Sequence, residues 1–199
     1  EQIHNLLNDF KVIRNKKKKV STANLYKLIE GSQRFFGIIN DNFSIGYPFE
    51  FIRMGRYMER ADMISRILDT LCLSASLNQM HDFKTLEWAS MLRNLSAQEA
   101  FREESKGEIE RGSVLKFLIQ NKGFPRSISK CLEQIEDCVS SLPNNILMKD
   151  EIKKTINKNF VAHIDKYDDD KLHIFLQELQ KRLIKLDERI HKSWFLLHS

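Results

Sequence analysis

The residues best suited to chemistry lie in the run RMGRYMERADMISR, Arg53 to Arg66, where four arginines are interspersed with Glu59 and Asp62. On a helix of 3.6 residues per turn, Phe51, Met54, Met58, Ala61 and Leu68 share an apolar face. Ile52, Arg56, Glu59, Met63 and Arg66 form a mixed stripe beside it. Charges at the edge of a core need partners, and Arg56 with Glu59 and Asp62 with Arg66 are spaced three and four residues apart to supply them. Gly55 costs the helix roughly 1 kcal/mol against alanine, so a close approach by another helix is expected there. Two uses of the stripe stand open. One is an interhelical ion-pair network that fixes packing. The other is a groove in which Arg56, Arg60 and Arg66 hold a carboxylate or phosphate through their planar forks, with Glu59 orienting them or exchanging a proton.

Other chemistry has little support. His163 with Asp165, and His191, have no second ligand at metal spacing, so no metal is expected. No glycine-rich phosphate loop or nucleophile signature exists, which argues against ATP binding by this chain alone and against a cofactor. Cys72, Cys131 and Cys138 make no CxxC pair; the last two are separated by two helical turns, about 10 Å, beyond disulfide reach. Buried, reduced thiols are expected.

The elements that must position this run are helical. The chain of 199 residues has only 7 glycines and 3 prolines, with 42% hydrophobic and 30% charged residues, the balance of a folded helical domain. The pattern begins with Ile3, Leu6, Leu7 and Phe10. Ser21 or Thr22 caps a helix carrying Leu25, Leu28, Ile29, Phe35, Phe36 and Ile39, and residues 40–46 break it. Pro48 suits the first turn of the charged helix, which runs to about Ser76. Leu86, Trp88, Ala89, Leu92 and Leu95 make the next helix, and Ser96 with Glu99 has the spacing of a capping box opening another. Val114 to Ile119 is a short apolar run. Ile128, Cys131, Leu132, Ile135, Cys138, Val139 and Leu142 trace a stripe that Pro143 ends. A helix over about residues 145–165 precedes the last, which Asp168 to Asp170 cap and where Leu172, Leu176, Leu179, Leu183, Leu186, Ile190, Trp194 and Leu197 recur by three and four. The expected fold is all-α, a single-domain helical bundle of about seven or eight helices.

No segment has the roughly 18 consecutive apolar residues of a membrane span, and none reads as a signal peptide, so a cytoplasmic protein without membrane contact is expected. The net charge of +5 and pI near 9.1 owe much to Arg14 and Lys16 to Lys19. That run reads as a solvated loop, with contact to nucleic acid or another polyanion as the less favoured alternative.

Three ordered blocks carry a family resemblance. FIRMGRYMERADMISRILD (Phe51 to Asp69), MLRNLSAQEAFRE (Met91 to Glu103) and FPRSISKCLEQIE (Phe124 to Glu136) resemble the blocks of the bacterial alpha-E domain family, and the ending HKSWF (His191 to Phe195) is similar too. The resemblance covers nearly all of the chain, which corresponds to roughly the C-terminal two-thirds of such proteins; an earlier helical segment is not represented. It implies ligand-contacting roles for Arg56, Glu59, Arg60, Asp62, Arg66, Arg93, Glu99 and Arg126. Glu99 has its capping box as an alternative, Arg126 a place after Pro125 at a helix start, and Arg93 a plain surface position. The family's association with circularly permuted ATP-grasp ligases and transglutaminase-like proteases implies a partner of one of those kinds and a role in peptide or amide-bond metabolism. The leading expectation is an accessory helical module presenting an Arg/Glu groove to a peptide or other anion. The alternatives are an enzyme of amide chemistry with Glu59 as acid or base, and a structural or polyanion-binding protein; apolar surface left uncovered would favour a homodimer.

Overall fold

The computed structural model describes residues 21–75, 81–105 and 109–196. The expected first helix, the Arg14 to Lys19 run, Ser76 and Leu197 lie outside the described residues. Among those described there are eight α-helices, one 3-10 turn and no strand, so the chain is all-α as its periodicity predicts. It divides into two compact units, residues 1–49 and 50–199.

In the first unit, α1 (Thr22–Asn42) starts at Ser21, whose hydroxyl accepts from the Asn24 N–H, and ends where the Phe43 N–H reaches the Ile39 carbonyl. Phe35 and Phe36 meet edge to face at 5.3 Å. Leu25, Tyr26 and Ile29 are exposed.

The second unit is built on α2 (Tyr47–Ala75), which crosses the boundary with Pro48 in its first turn, and on α3 (His81–Asn94), α4 (Gln98–Ser105), α5 (Arg111–Gln120), α6 (Ile128–Ser140), α7 (Ile146–Val161) and α8 (Asp169–Trp194). The stripes read from the sequence are the core. Met54, Met58, Ala61 and Leu68 of α2 are buried, as are all seven stripe residues of α6 and its following turn, and Leu172 to Ile190 of α8. Asp168 caps α8 through the Lys171 N–H at 2.8 Å. Trp194 donates its indole N–H to the Pro143 carbonyl at 3.0 Å and lies edge to face with Phe51 at 5.8 Å. The end of α8 is thereby tied to the start of the charged helix.

Two local expectations are overturned. Ser96 does not cap α4. It sits at φ 51° and closes α3, its N–H reaching the Arg93 carbonyl at 2.9 Å while the Ala97 N–H reaches Leu92 at 2.8 Å, the paired bonds of a Schellman ending. A capping serine needs extended backbone, so the left-handed turn excludes the capping box. The helix expected over residues 145–165 is also shorter: α7 stops at Val161, and Ile164–Lys166 form a separate 3-10 turn. Gln120 at the end of α5 donates to the carbonyls of Asn159 and Ala162 at 2.7 and 2.8 Å, and Ile164 turns into the core. Those hydrogen bonds satisfy groups that a continued helix would otherwise use.

A polar junction around α7 is fully buried. Asn159 is fully buried and donates to the Ile119 carbonyl at 3.1 Å and the Ser129 hydroxyl at 2.6 Å, joining α5, α6 and α7. Asn159→Ala leaves two buried acceptors unpaired and is expected to lower unfolding free energy by about 2–3 kcal/mol in urea titrations. Ser96→Gly removes the cost of a left-handed side chain and is expected to raise it by about 0.5–1 kcal/mol in the same assay.

Candidate functional site

Helix α2 presents its charges on two faces. Arg60, one turn after Arg56, lies near Cys131 of α6 and Arg126 of the loop before it. Arg60 is half-buried beside Cys131, with its guanidinium 5.8 Å from the Tyr57 ring centroid. Burial pulls its pKa below the ordinary arginine value, and the positive charges of Arg56 and Arg126 pull in the same direction. Among the described residues Arg60 makes no ion pair with any carboxylate.

The loop that brings Arg126 here is rigid for local reasons. Asn121 follows the last turn of α5 and accepts from the Gly123 and Phe124 N–H groups at 2.7 and 2.5 Å, an Asx turn. Ser127 then caps α6 by accepting from the Lys130 N–H at 3.1 Å, and donates to the Asn121 carbonyl. Arg126, held between these anchors, donates to the Leu95 carbonyl at the end of α3 at 2.7 Å. One N–H is thus committed, and the exposed remainder of the guanidinium adjoins Arg60.

Glu59, Asp62 and Arg66 occupy the other face, with Gly55 and Met58, around a cavity of about 260 Å³ whose far wall is Leu183, Ile184 and Asp187 of α8. Asp62 binds the Arg66 Nε at 2.6 Å and holds that guanidinium's pKa above its ordinary value. Arg66 is therefore locally committed, and Glu59 faces a cavity lined by two further carboxylates. Among the described residues nothing stands within 4 Å of a Cβ added at Gly55, so the expected close approach is not found there. The glycine at a close approach is Gly112, where an added Cβ would stand 3.3 Å from the Asp165 carbonyl oxygen.

Arg93 and Glu99 lie on either side of the Schellman turn, both exposed. Glu99 pairs with Arg102 at 3.4 Å. The structure does not bring their side chains to Arg60, although Leu95, between them, holds Arg126. The three sequence blocks thus converge: α2 supplies Arg56 and Arg60, the end of α3 a carbonyl, and the α5–α6 loop Arg126.

Sequence reasoning missed one buried pair. Glu50, buried at the start of the second unit, receives Arg53 at 3.1 Å, and Arg53 also donates to Gln134 at 3.3 Å. The three-residue spacing of Glu50 and Arg53 was the available signal, masked by the surrounding apolar residues. Among the described residues no group of three or more histidine, cysteine, aspartate or glutamate side chains could hold a metal. No helix among them is long and apolar enough to cross a membrane.

A family model described as a predicted alpha-helical domain with a conserved ER motif matches residues 1–195. The chain belongs to the Alpha-E family. No curated protein and no solved structure matches it. This Alpha-E chain contains three Glu-Arg pairs, Glu59–Arg60, Glu110–Arg111 and Glu188–Arg189. Arg111 binds Asp169 at 2.8 Å and the Tyr167 carbonyl at 2.6 Å, and Arg189 binds Glu151. Of the three arginines, Arg60 is the one without a carboxylate among the described residues.

All three cysteines of the domain are free and buried, and burial is the main cause that pushes Cys72 and Cys131 up to about 11 and Cys138 up to about 12, the last also through its hydrogen bond with Glu50. Thiolate is the reactive form, so the folded protein is expected to be inert to a disulfide reagent at pH 8 and to release three equivalents only in denaturant. Rapid labelling of a native thiol would contradict this burial.

Proposed function

We propose that this Alpha-E domain is a non-catalytic helical module that holds the carboxylate of a peptide on the face formed by Arg56, Arg60 and Arg126, and that it serves a partner ligase of the ATP-grasp type. The observation that carries the reading is Arg60: a half-buried guanidinium, flanked by two more and facing no carboxylate partner among the described residues. Like charges gathered at the edge of a low-dielectric core repel one another, and a bound anion relieves that repulsion. A planar fork with unused donors fits a two-oxygen acceptor such as a carboxylate. Glu59–Arg60 is the Glu-Arg pair we assign to the family's ER motif, because the other two arginines are engaged in holding helices together. The ligase partnership rests on the family resemblance, and the choice of carboxylate over phosphate follows from the peptide chemistry it implies.

Glu59 belongs to the opposite cavity in this reading and does not touch the anion. Calorimetric titration with a short peptide bearing a free C-terminal carboxylate, set against the same peptide amidated, is the direct test. The free acid is expected to bind and the amide to bind at least tenfold more weakly. Arg60→Gln is expected to weaken the free acid by roughly 10- to 100-fold, the cost of one charge-assisted hydrogen-bond pair, while Glu59→Gln leaves it within about twofold. Equal binding of acid and amide, or full binding by a folded Arg60→Gln variant, would overturn the proposal.

A further inference from the structure

Another half-buried arginine that forms no ion pair among the described residues lies far along the chain, on α8. This is Arg182, whose Nε is shielded from solvent with no hydrogen-bond partner. Arg182 and Lys158 of α7 together line two adjoining cavities between α7 and α8, of about 600 and 190 Å³. The larger has an apolar end formed by Val161, Ala162, Tyr167 and Phe175, the two rings meeting edge to face at 6.0 Å. The smaller adds Lys154 and Lys185. Each cavity also has one carboxylate in its wall: Glu178 in the larger, which holds Lys181 at 2.8 Å and is attracted to Arg182 and Lys158, and Glu151 in the smaller, which holds Arg189 and, at 3.8 Å, Lys185. The groove thus runs from an aromatic wall to a cluster of cations that the protein's own acids leave incompletely neutralised.

We infer that this groove is a second binding site, taking a phosphate or carboxylate carried on a small aromatic or apolar body, with Arg182 and Lys158 on the anion and Tyr167 and Phe175 against the body. The two parts work together. An anion alone leaves the apolar wall wet, and an uncharged ring leaves the cations Arg182, Lys158 and Lys154 without a counter-charge. Arg182 shares no residue or cavity with the Arg60 face, so the inference does not rest on the proposed function.

The test is chemical-shift titration of the full chain with phenyl phosphate, phenylacetate and inorganic phosphate. Phenyl phosphate or phenylacetate is expected to bind at least tenfold more tightly than inorganic phosphate, with shifts centred on residues 158–182 rather than on α2. The tighter of the two aromatic anions identifies the headgroup. Arg182→Gln is expected to weaken binding at least tenfold. Lys158→Glu, an exposed change that does not burden folding, is expected to weaken it and flatten its dependence on salt, whereas Lys192→Glu at the other end of α8 has little effect. Inorganic phosphate binding as tightly as the aromatic anions, shifts confined to α2, or a Lys158→Glu variant that binds as before would each overturn the inference.

Discussion

Asn159 has no exposure to solvent, and its side-chain amide reaches the last turn of α5 through the Ile119 carbonyl and the first turn of α6 through Ser129. Gln120, adjacent to Ile119, returns the connection by covering the carbonyls that α7 leaves open. Three helix ends are therefore locked at one point by polar groups that cannot be satisfied separately. A buried amide whose N–H groups reach two other helices favours one arrangement, since a slip leaves those donors dry and unpaired. The loop from Asn121 to Ser127 springs from this junction, and with it the position of Arg126. The placement of Arg126 beside Arg60 thus depends on the packing of α7, although α7 contributes no residue there.

The arginines of the second unit divide by what they hold. Arg53, Arg66, Arg111 and Arg189 grip carboxylates: the first two contacts stiffen α2 itself, and the other two tie separate helices together. Arg60 and Arg182 do neither, yet both carry part of their guanidinium out of water. Keeping a cation half-desolvated costs free energy that packing of its aliphatic stem recovers only in part. Arg60 lies among Tyr57, Arg56 and Arg126, whereas Arg182 lies beside Glu178, whose charge it feels without forming an ion pair. The lack of a gripped carboxylate is what separates these two from the bridging arginines.

Much of the fold was legible because its core helices are amphipathic in the simplest way. The stripe of α6 and that of α8 from Leu172 to Ile190 were read correctly, since leucine and isoleucine at spacings of three and four leave one side of a helix to bury, while Trp194 lies at the rim. Burial on α2 was also read well, but its charges were not. Glu59, Asp62 and Arg66 share an edge with Arg56 on a helical wheel, and only the placement of α8 on one side and the Arg126 loop on the other divides them. Ser96 misled for a different reason: the spacing to Glu99 is the same whether serine opens a helix or closes the preceding one, and the sign of φ decides between them. Gly55 and Gly112 illustrate a further limit. Each is a glycine inside a helix, and nothing in the sequence around them distinguishes open solvent from a backbone 3.3 Å away.

The two tryptophans occupy contrasting places in this architecture. Trp88 of α3 is 4% exposed within the core, whereas Trp194 sits at the rim with its indole N–H fastened to Pro143 and its ring against Phe51. The domain thereby carries its own pair of optical reporters. Fluorescence from Trp88 shifts to the red only when the core opens, while that from Trp194 changes as soon as the last turn of α8 lifts from the start of α2. A two-component emission record would separate fraying at that seam from global unfolding without any added label.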